Sequence, residues 1–236
     1  MIKNIIFDLG NVIIKFNKNE LINKFVCNEE AARFIYDKIM GSPEWALMDL
    51  GEITKEQAIE AINKRNNNNY SELTRRFLND WYKTDIYNRQ TIELAKQLKE
   101  QGYDLYVLSN IADHIYDYIK DDEFFGLTEG DVISALEHVK KPDEKIYEIL
   151  LERYNLKPEE CLFIDDDDSG RNYETANKIG IQGRRVLPNN AKDIQKMLGE
   201  HQIQVELDEN KHYGNQKVTK TMSGSQKEMN SLDEGR

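Results

Sequence analysis

Several side chains that can do chemistry stand where an apolar run stops. Asp8 follows "NIIF", Ser109 and Asn110 follow "DLYVL", and Asp165 and Asp166 follow "CLFI". Lys141 precedes Pro142 in "VKKPDEKIY". A carboxylate can attack an electrophile or ligate a hard cation, a hydroxyl and an amide can hold an oxyanion, and an ammonium can neutralise one. Each also has an ordinary explanation. Asp8 alone could be a turn residue capping backbone amides, and Ser109 with Asn110 could open a helix. Lys141 could be a solvated lysine like Lys140, or could hold an anion at the helix start that Pro142 suggests. The run Asp165 to Asp168 in "FIDDDDSGRN" is harder to dismiss. Two such charges about 4 Å apart repel by around 4 kcal/mol at an effective dielectric of 20. A divalent cation would relieve them, or the loop would splay them into solvent.

The elements that must position these groups follow from hydrophobic periodicity. Short apolar runs at "NIIFD", "DLYVLSN", "DVISAL", "CLFIDD" and "IQGRRVL" read as buried strands. Between them lie helical stripes such as "RQTIELAKQLKEQG", stopped by Gly102, and "PDEKIYEILLERYN", opened by Pro142. Alternating strand and helix predicts an α/β fold, a Rossmann-like parallel sheet with helices on both faces and its ligand at the strands' carboxyl ends. Residues 16–86 interrupt the alternation with helical stripes alone, so an all-helical insertion is expected there, with a capping box from Thr54 and Gln57 and a loop at the asparagines of 66–69. The core is then 1–15 with 87–203. Residues 204–236 are polar and aperiodic, which predicts a disordered tail.

The chain has 236 residues, 32% of them charged, and a formal net charge of -11. Such a surface repels nucleic acid and anionic membranes. No stretch nears the roughly 20 apolar residues of a membrane span, and the N-terminus lacks a signal-peptide run, so a soluble, cytoplasmic protein is expected. Cys27 and Cys161 form no CxxC pair and read as buried thiols. The four histidines, His114, His138, His201 and His212, fall outside the clusters and receive no role.

The order Asp8, Ser109, Lys141, Asp165 and Asp166, each at a strand end, resembles the four motifs of the haloacid dehalogenase-like hydrolases over roughly residues 1 to 200. "FDLGNV", "VLSN", "KKPDEKIY" and "FIDD" resemble in particular the branch containing alpha-glucose-1-phosphate phosphatase, whose helical cap the insertion also resembles. The resemblance implies an aspartyl-phosphate on Asp8, phosphoryl contacts from Ser109 and the backbone of Asn110, and charge neutralisation by Lys141. It also implies Mg²⁺ on Asp8, the Gly10 carbonyl, Asp165 and Asp166, and a small phosphorylated substrate. Trp45 and Met48 are candidates to face that substrate from the cap, Trp45 by stacking on a sugar, with ordinary cap packing as the alternative.

Two departures from the family pattern matter. Gly10 stands where most of these phosphatases carry a second aspartate, the general acid and base, a function typically worth 10² to 10⁴ in rate. The fourth motif has two extra residues. Strand register selects Asp165 and Asp166, with a bulge absorbing the excess, whereas spacing to Asn172 selects Asp167 and Asp168. The missing second acid also fits a metal-independent 2-haloacid dehalogenase, although four aspartates would repel a haloacid. A catalytically idle binding protein is the remaining alternative.

Overall fold

Ile5, Ile6 and Phe7 leave no face of their strand for water. In a computed structural model, which describes residues 1–84 and 86–208, β1 (Asn4–Phe7) is buried at every residue and pairs in parallel on both edges. Continuous apolar character is what a parallel strand covered on both sides demands. The insertion follows: α1 (Lys18–Asn23), α2 (Glu29–Phe34) running into a π-helical turn at Ile35–Met40, α3 (Pro43–Asp49), α4 (Lys55–Arg65) and α5 (Ser71–Asp80). The core resumes with α6 (Arg89–Glu100), β2 (Asp104–Ser109), α7 (Asp113–Ile119), β3 (Gly130–Ile133), α8 (Ser134–Glu137), α9 (Glu144–Arg153), β4 (Cys161–Asp165), α10 (Arg171–Lys178), β5 (Gln182–Arg185) and α11 (Ala191–Glu200).

The sheet is all parallel in the order β3-β2-β1-β4-β5. Phe7 is level with Val107 on β2 and Ile164 on β4, so the residues that follow all three strands reach one rim. Successive side chains of β1 point to opposite faces. Ile6 joins Tyr106, Phe163, Tyr147 and Ile146 in a small core under α9 and α10. Ile5 and Phe7 join a larger one with Leu94 and Leu98 of α6 and Ile194 of α11. That larger core continues into the insertion through Ile35, Ile39, Met48, Ile62 and Phe77.

The chain leaves and re-enters the core at one place. Ile14 and Tyr87 form an antiparallel bridge, reinforced by Lys15 N–H to Ile86 O (2.5 Å) and Asn88 N–H to Ile13 O (2.8 Å). Thr54 and Gln57 form the expected capping box, at 3.2 and 2.8 Å. Asn67 and Asn68 adopt positive φ between α4 and α5, a conformation asparagine tolerates.

Several expectations need correction. "DVISAL" is a strand only to Ile133, because the buried Ser134 turns its hydroxyl toward Asp49 O and starts α8. Pro142 does not open a helix: it sits in a turn, and α9 begins at Glu144 with Asp143 as its cap, accepting from Lys145 N–H at 2.9 Å. Cys27 is exposed, whereas Cys161 is buried. The start of the expected tail is pinned: Gln97 of α6 and Gln101, just past its end, bond the backbone of Glu206 and Gln204, and Val205 is buried. Residues 209–236, the rest of that tail, lie outside the described residues.

Candidate active site

Asp8 emerges from β1 into a pocket of opposite and like charges. Its Oδ1 accepts from Ser109 Oγ at 2.9 Å and lies 2.9 Å from Lys141 Nζ. The same ammonium lies 2.7 Å from Asp165 Oδ2. Lys141 and Asp165 are buried, and Asp8 nearly so. The solvated-lysine alternative therefore fails, and so does an anion site at a helix start, because Lys141 points at carboxylates. Burial would lower its pKa, but Asp165 and Asp8 outweigh that and raise it. Burial raises the pKa of Asp8 against the pull of Lys141, and Asp165 adds repulsion.

Asp166 is the third acid. Oxygens of Asp8, Asp165 and Asp166 all lie within 4.8 Å of one another. Burial, then the charge of Asp8, pushes the Asp166 carboxyl up to about 7. One ammonium faces three carboxylates, a donor set of hard oxygens short of positive charge, and this suits a divalent cation such as Mg²⁺. Asn11 steadies Asp166: its Nδ2 donates to Asp166 Oδ2 at 2.9 Å, while its Oδ1 accepts from Phe16 N–H at 3.1 Å and Asn189 Nδ2 at 2.9 Å. Asn11 has φ +54°, tolerable for asparagine in the turn after β1.

The loop after β4 resolves the choice of register geometrically. Asp167 accepts from the Ser169 hydroxyl and N–H and from Asn172 N–H, contacts that hold its pKa down although burial opposes them. Asp168 pairs with Arg185 at the surface. Neither joins the acid cluster. The extra residues form an open loop closing at Gly170, φ +78°, rather than a bulge in the strand. Asn172 nonetheless reaches Asp165, donating to both carboxylate oxygens at 3.1 and 3.3 Å.

Asn110 has a structural task that its position did not reveal. Its side chain clamps the backbone of Lys141, donating to the carbonyl and accepting from the N–H, both at 2.9 Å. Gly10 is not required by crowding: an added Cβ would meet only Asp8 Oδ2, at 4.0 Å. Met48 is buried in the larger core. Trp45 is half-buried, with ring centroids 6.1 Å from Phe16 and 5.8 Å from Trp81. That cluster adjoins the acids through Phe16, whose N–H is held by Asn11. Asn11, Asn172 and the Asn110 side chain were missed because an amide's partner is chosen by tertiary structure. The sequence signals were Asn11 three residues after Asp8, Asn110 directly after Ser109, and Asn172, whose spacing entered only the choice between acid pairs.

Similar proteins point the same way. A sesquiterpene phosphatase of Aspergillus oryzae is 26% identical over 182 residues, 77% of this chain and 88% of that protein. A predicted HAD-like family hydrolase of Porphyromonas gingivalis superposes with a TM-score of 0.69 at 23% identity, covering 86% of this chain and all of that one. A HAD family enzyme of Bacteroides thetaiotaomicron, in complex with magnesium and inorganic phosphate, gives 0.63 at 22% identity over 80% of this chain and 96% of its own. The family model for haloacid dehalogenase-like hydrolases matches residues 2–171. With Asp8, Ser109, Lys141 and the paired acids after β4 gathered at one rim of a parallel sheet, the chain belongs to the haloacid dehalogenase-like hydrolases.

Proposed function

We propose that this hydrolase is a magnesium-dependent phosphatase of a small phosphorylated metabolite, a sugar phosphate being one such ester, and that it works through an aspartyl-phosphate on Asp8. The observation that carries this reading is the convergence of three carboxylates, two of them paired with Lys141, beside a buried serine hydroxyl. Asp8, Asp165, Asp166 and the carbonyl of Gly10 would hold the ion. Bound there, Mg²⁺ supplies the positive charge that lets a phosphate dianion enter an acidic pocket. Ser109 and Lys141 both hold Asp8 Oδ1, which leaves Oδ2 to attack phosphorus. Ser109 and the backbone N–H of Asn110 would bind phosphoryl oxygens, and Lys141 would neutralise charge developing on them.

Residues 16–86 act as the cap over a core of 1–15 and 87–203, and Trp45 with Phe16 forms an aromatic wall for the organic part of the ester. The phosphatase relative supports the reaction class, and the magnesium and phosphate of the Bacteroides enzyme support the ligands. A 2-haloacid dehalogenase fits the missing second acid, but a haloacid carboxylate would meet the same crowd of negative charge that the ion relieves.

The test is a panel of small phosphate esters assayed with Mg²⁺ and with a chelator. Mg²⁺-dependent phosphate release, lost in Asp8→Asn, is expected. Halide release from 2-haloacids in chelator would replace this reading with the dehalogenase, and silence in both assays with no fluoroberyllate binding would replace it with the idle protein.

A further inference from the structure

Gly10 leaves the proposed reaction without its usual proton donor, and one carboxyl of the insertion belongs to a residue held at the same rim of the sheet. Asp49 is the last residue of α3, where an acid meets the negative end of the helix dipole. Its side chain has no hydrogen bond or ion pair among the described residues. Burial pushes its carboxyl up to about 7, with Lys140 pulling the other way. An acid that is penalised by dipole and burial and has no structural partner is costly to keep, and such costs gather at functional sites.

Its location is fixed by the backbone around it. The carbonyl of Asp49 accepts from Ser134 Oγ, which in turn accepts from Ile111 N–H at 3.0 Å. The next carbonyl, of Leu50, lies 3.1 Å from His138 Nδ1, and Gly51 packs directly against Ala135 O. Asp49 is thus tied to Ile111, two residues beyond Ser109 at the end of β2, and to α8, the helix that precedes Lys141. In an in-line displacement the leaving oxygen lies on the far side of phosphorus from the nucleophile. With Asp8 at the carboxyl end of β1, that side faces away from the sheet, and Asp49 is held at the same rim against Ser134 and Ile111, just past the ends of β3 and β2.

Resting on the phosphatase reading above, we infer that Asp49 is the catalytic acid and base that position 10 lacks. As Asp8 forms its bond to phosphorus and the ester P–O bond breaks, Asp49 gives its proton to the departing oxygen, which leaves as an alcohol. The resulting Asp49 carboxylate then takes a proton from water as that water attacks the phosphorus of aspartyl-phosphate. The Asp8–phosphorus bond breaks, phosphate departs, and both acids return to their starting states.

The test uses the leaving group as the reporter, measuring its release in the first turnover by rapid quench with Mg²⁺ present. Asp49→Asn should slow release from an alkyl phosphate by about 10²- to 10⁴-fold. Release of p-nitrophenolate, which departs without a proton, should slow by less than about tenfold. Asp49→Glu should recover part of the alkyl rate, and the aryl reaction reports that the site is folded. In the wild type, kcat/KM for the alkyl ester should fall as pH rises past about 7, a limb Asp49→Asn loses. The charge acting on the Asp49 carboxyl is that of Lys140; the nearest other titratable contact is His138, at the neighbouring Leu50 carbonyl, while Glu137 pairs with Arg153 and Glu44 with Arg65. Equal slowing of both esters, or of neither, would overturn the inference while leaving the phosphatase standing. A wild type inert toward every ester would overturn the reading beneath it.

Discussion

Lys141 is the only ammonium contacting the acid cluster among the described residues, and its removal separates two effects. Lys141→Ala leaves buried carboxylates uncompensated, so unfolding free energy in chelator should fall by about 3–5 kcal/mol. Added Mg²⁺ should recover part of that loss, because the ion takes over neutralisation. Asp166→Asn should behave oppositely, with a raised Tm in chelator and a diminished Mg²⁺ response, since it relieves repulsion and removes a proposed ligand. Urea and thermal unfolding with and without Mg²⁺ check both. At this scale the sequence was legible where a strand ends in an acid, because strand geometry alone places that acid at the rim. It was silent on Asn11, Asn172 and Asp49, whose partners or surroundings come from segments more than 80 residues away in two of the cases and from a loop of unknown shape in the third.

Besides the shared hydrophobic core, the insertion meets α8 at one point where the backbones pack too closely for a side chain. Gly51 has φ +66°, and an added Cβ would stand 2.0 Å from Ala135 O. Gly51→Ala should therefore cost roughly 1–3 kcal/mol and, if Asp49 has the role proposed for it, lower activity by displacing that residue. Gly10→Ala, with open space around its Cβ, should leave the Tm nearly unchanged. Thermal melts of the two variants side by side make the comparison. The sheet, α6 and the capping box of α4 were readable from periodicity and end signals. The break at Ile133 was not, since it depends on the Ser134 hydroxyl reaching Asp49 O across the fold, and at α9 the local cap by Asp143 outcompetes the signal of Pro142.

Stability of the whole molecule should depend on pH through its raised acids. Asp8, Asp49 and Asp166 all hold protons more tightly folded than unfolded, where aspartate titrates near 3.9. The contributions of Asp49 and Asp166 are complete below about pH 4 and are lost as pH climbs through about 7, and that of Asp8 has the same sign. Metal-free protein should therefore be more stable at pH 5 than at pH 8 in urea melts. Asp49→Asn should stabilise it at pH 8 by roughly 1–4 kcal/mol and barely at pH 4, a tenfold change in proton affinity being worth about 1.4 kcal/mol.

β1 occupies the middle of the sheet although it is the earliest element in chain order. During synthesis both of its edges wait, first for β2 and then for β4, whose Ile164 is translated on the order of ten seconds after Phe7 at ribosomal speeds. The nascent chain thus presents an unsatisfied apolar ribbon to holdase chaperones until most of its length exists. Refolding from denaturant should share that delay, governed by distant pairings rather than by its many quick local helices.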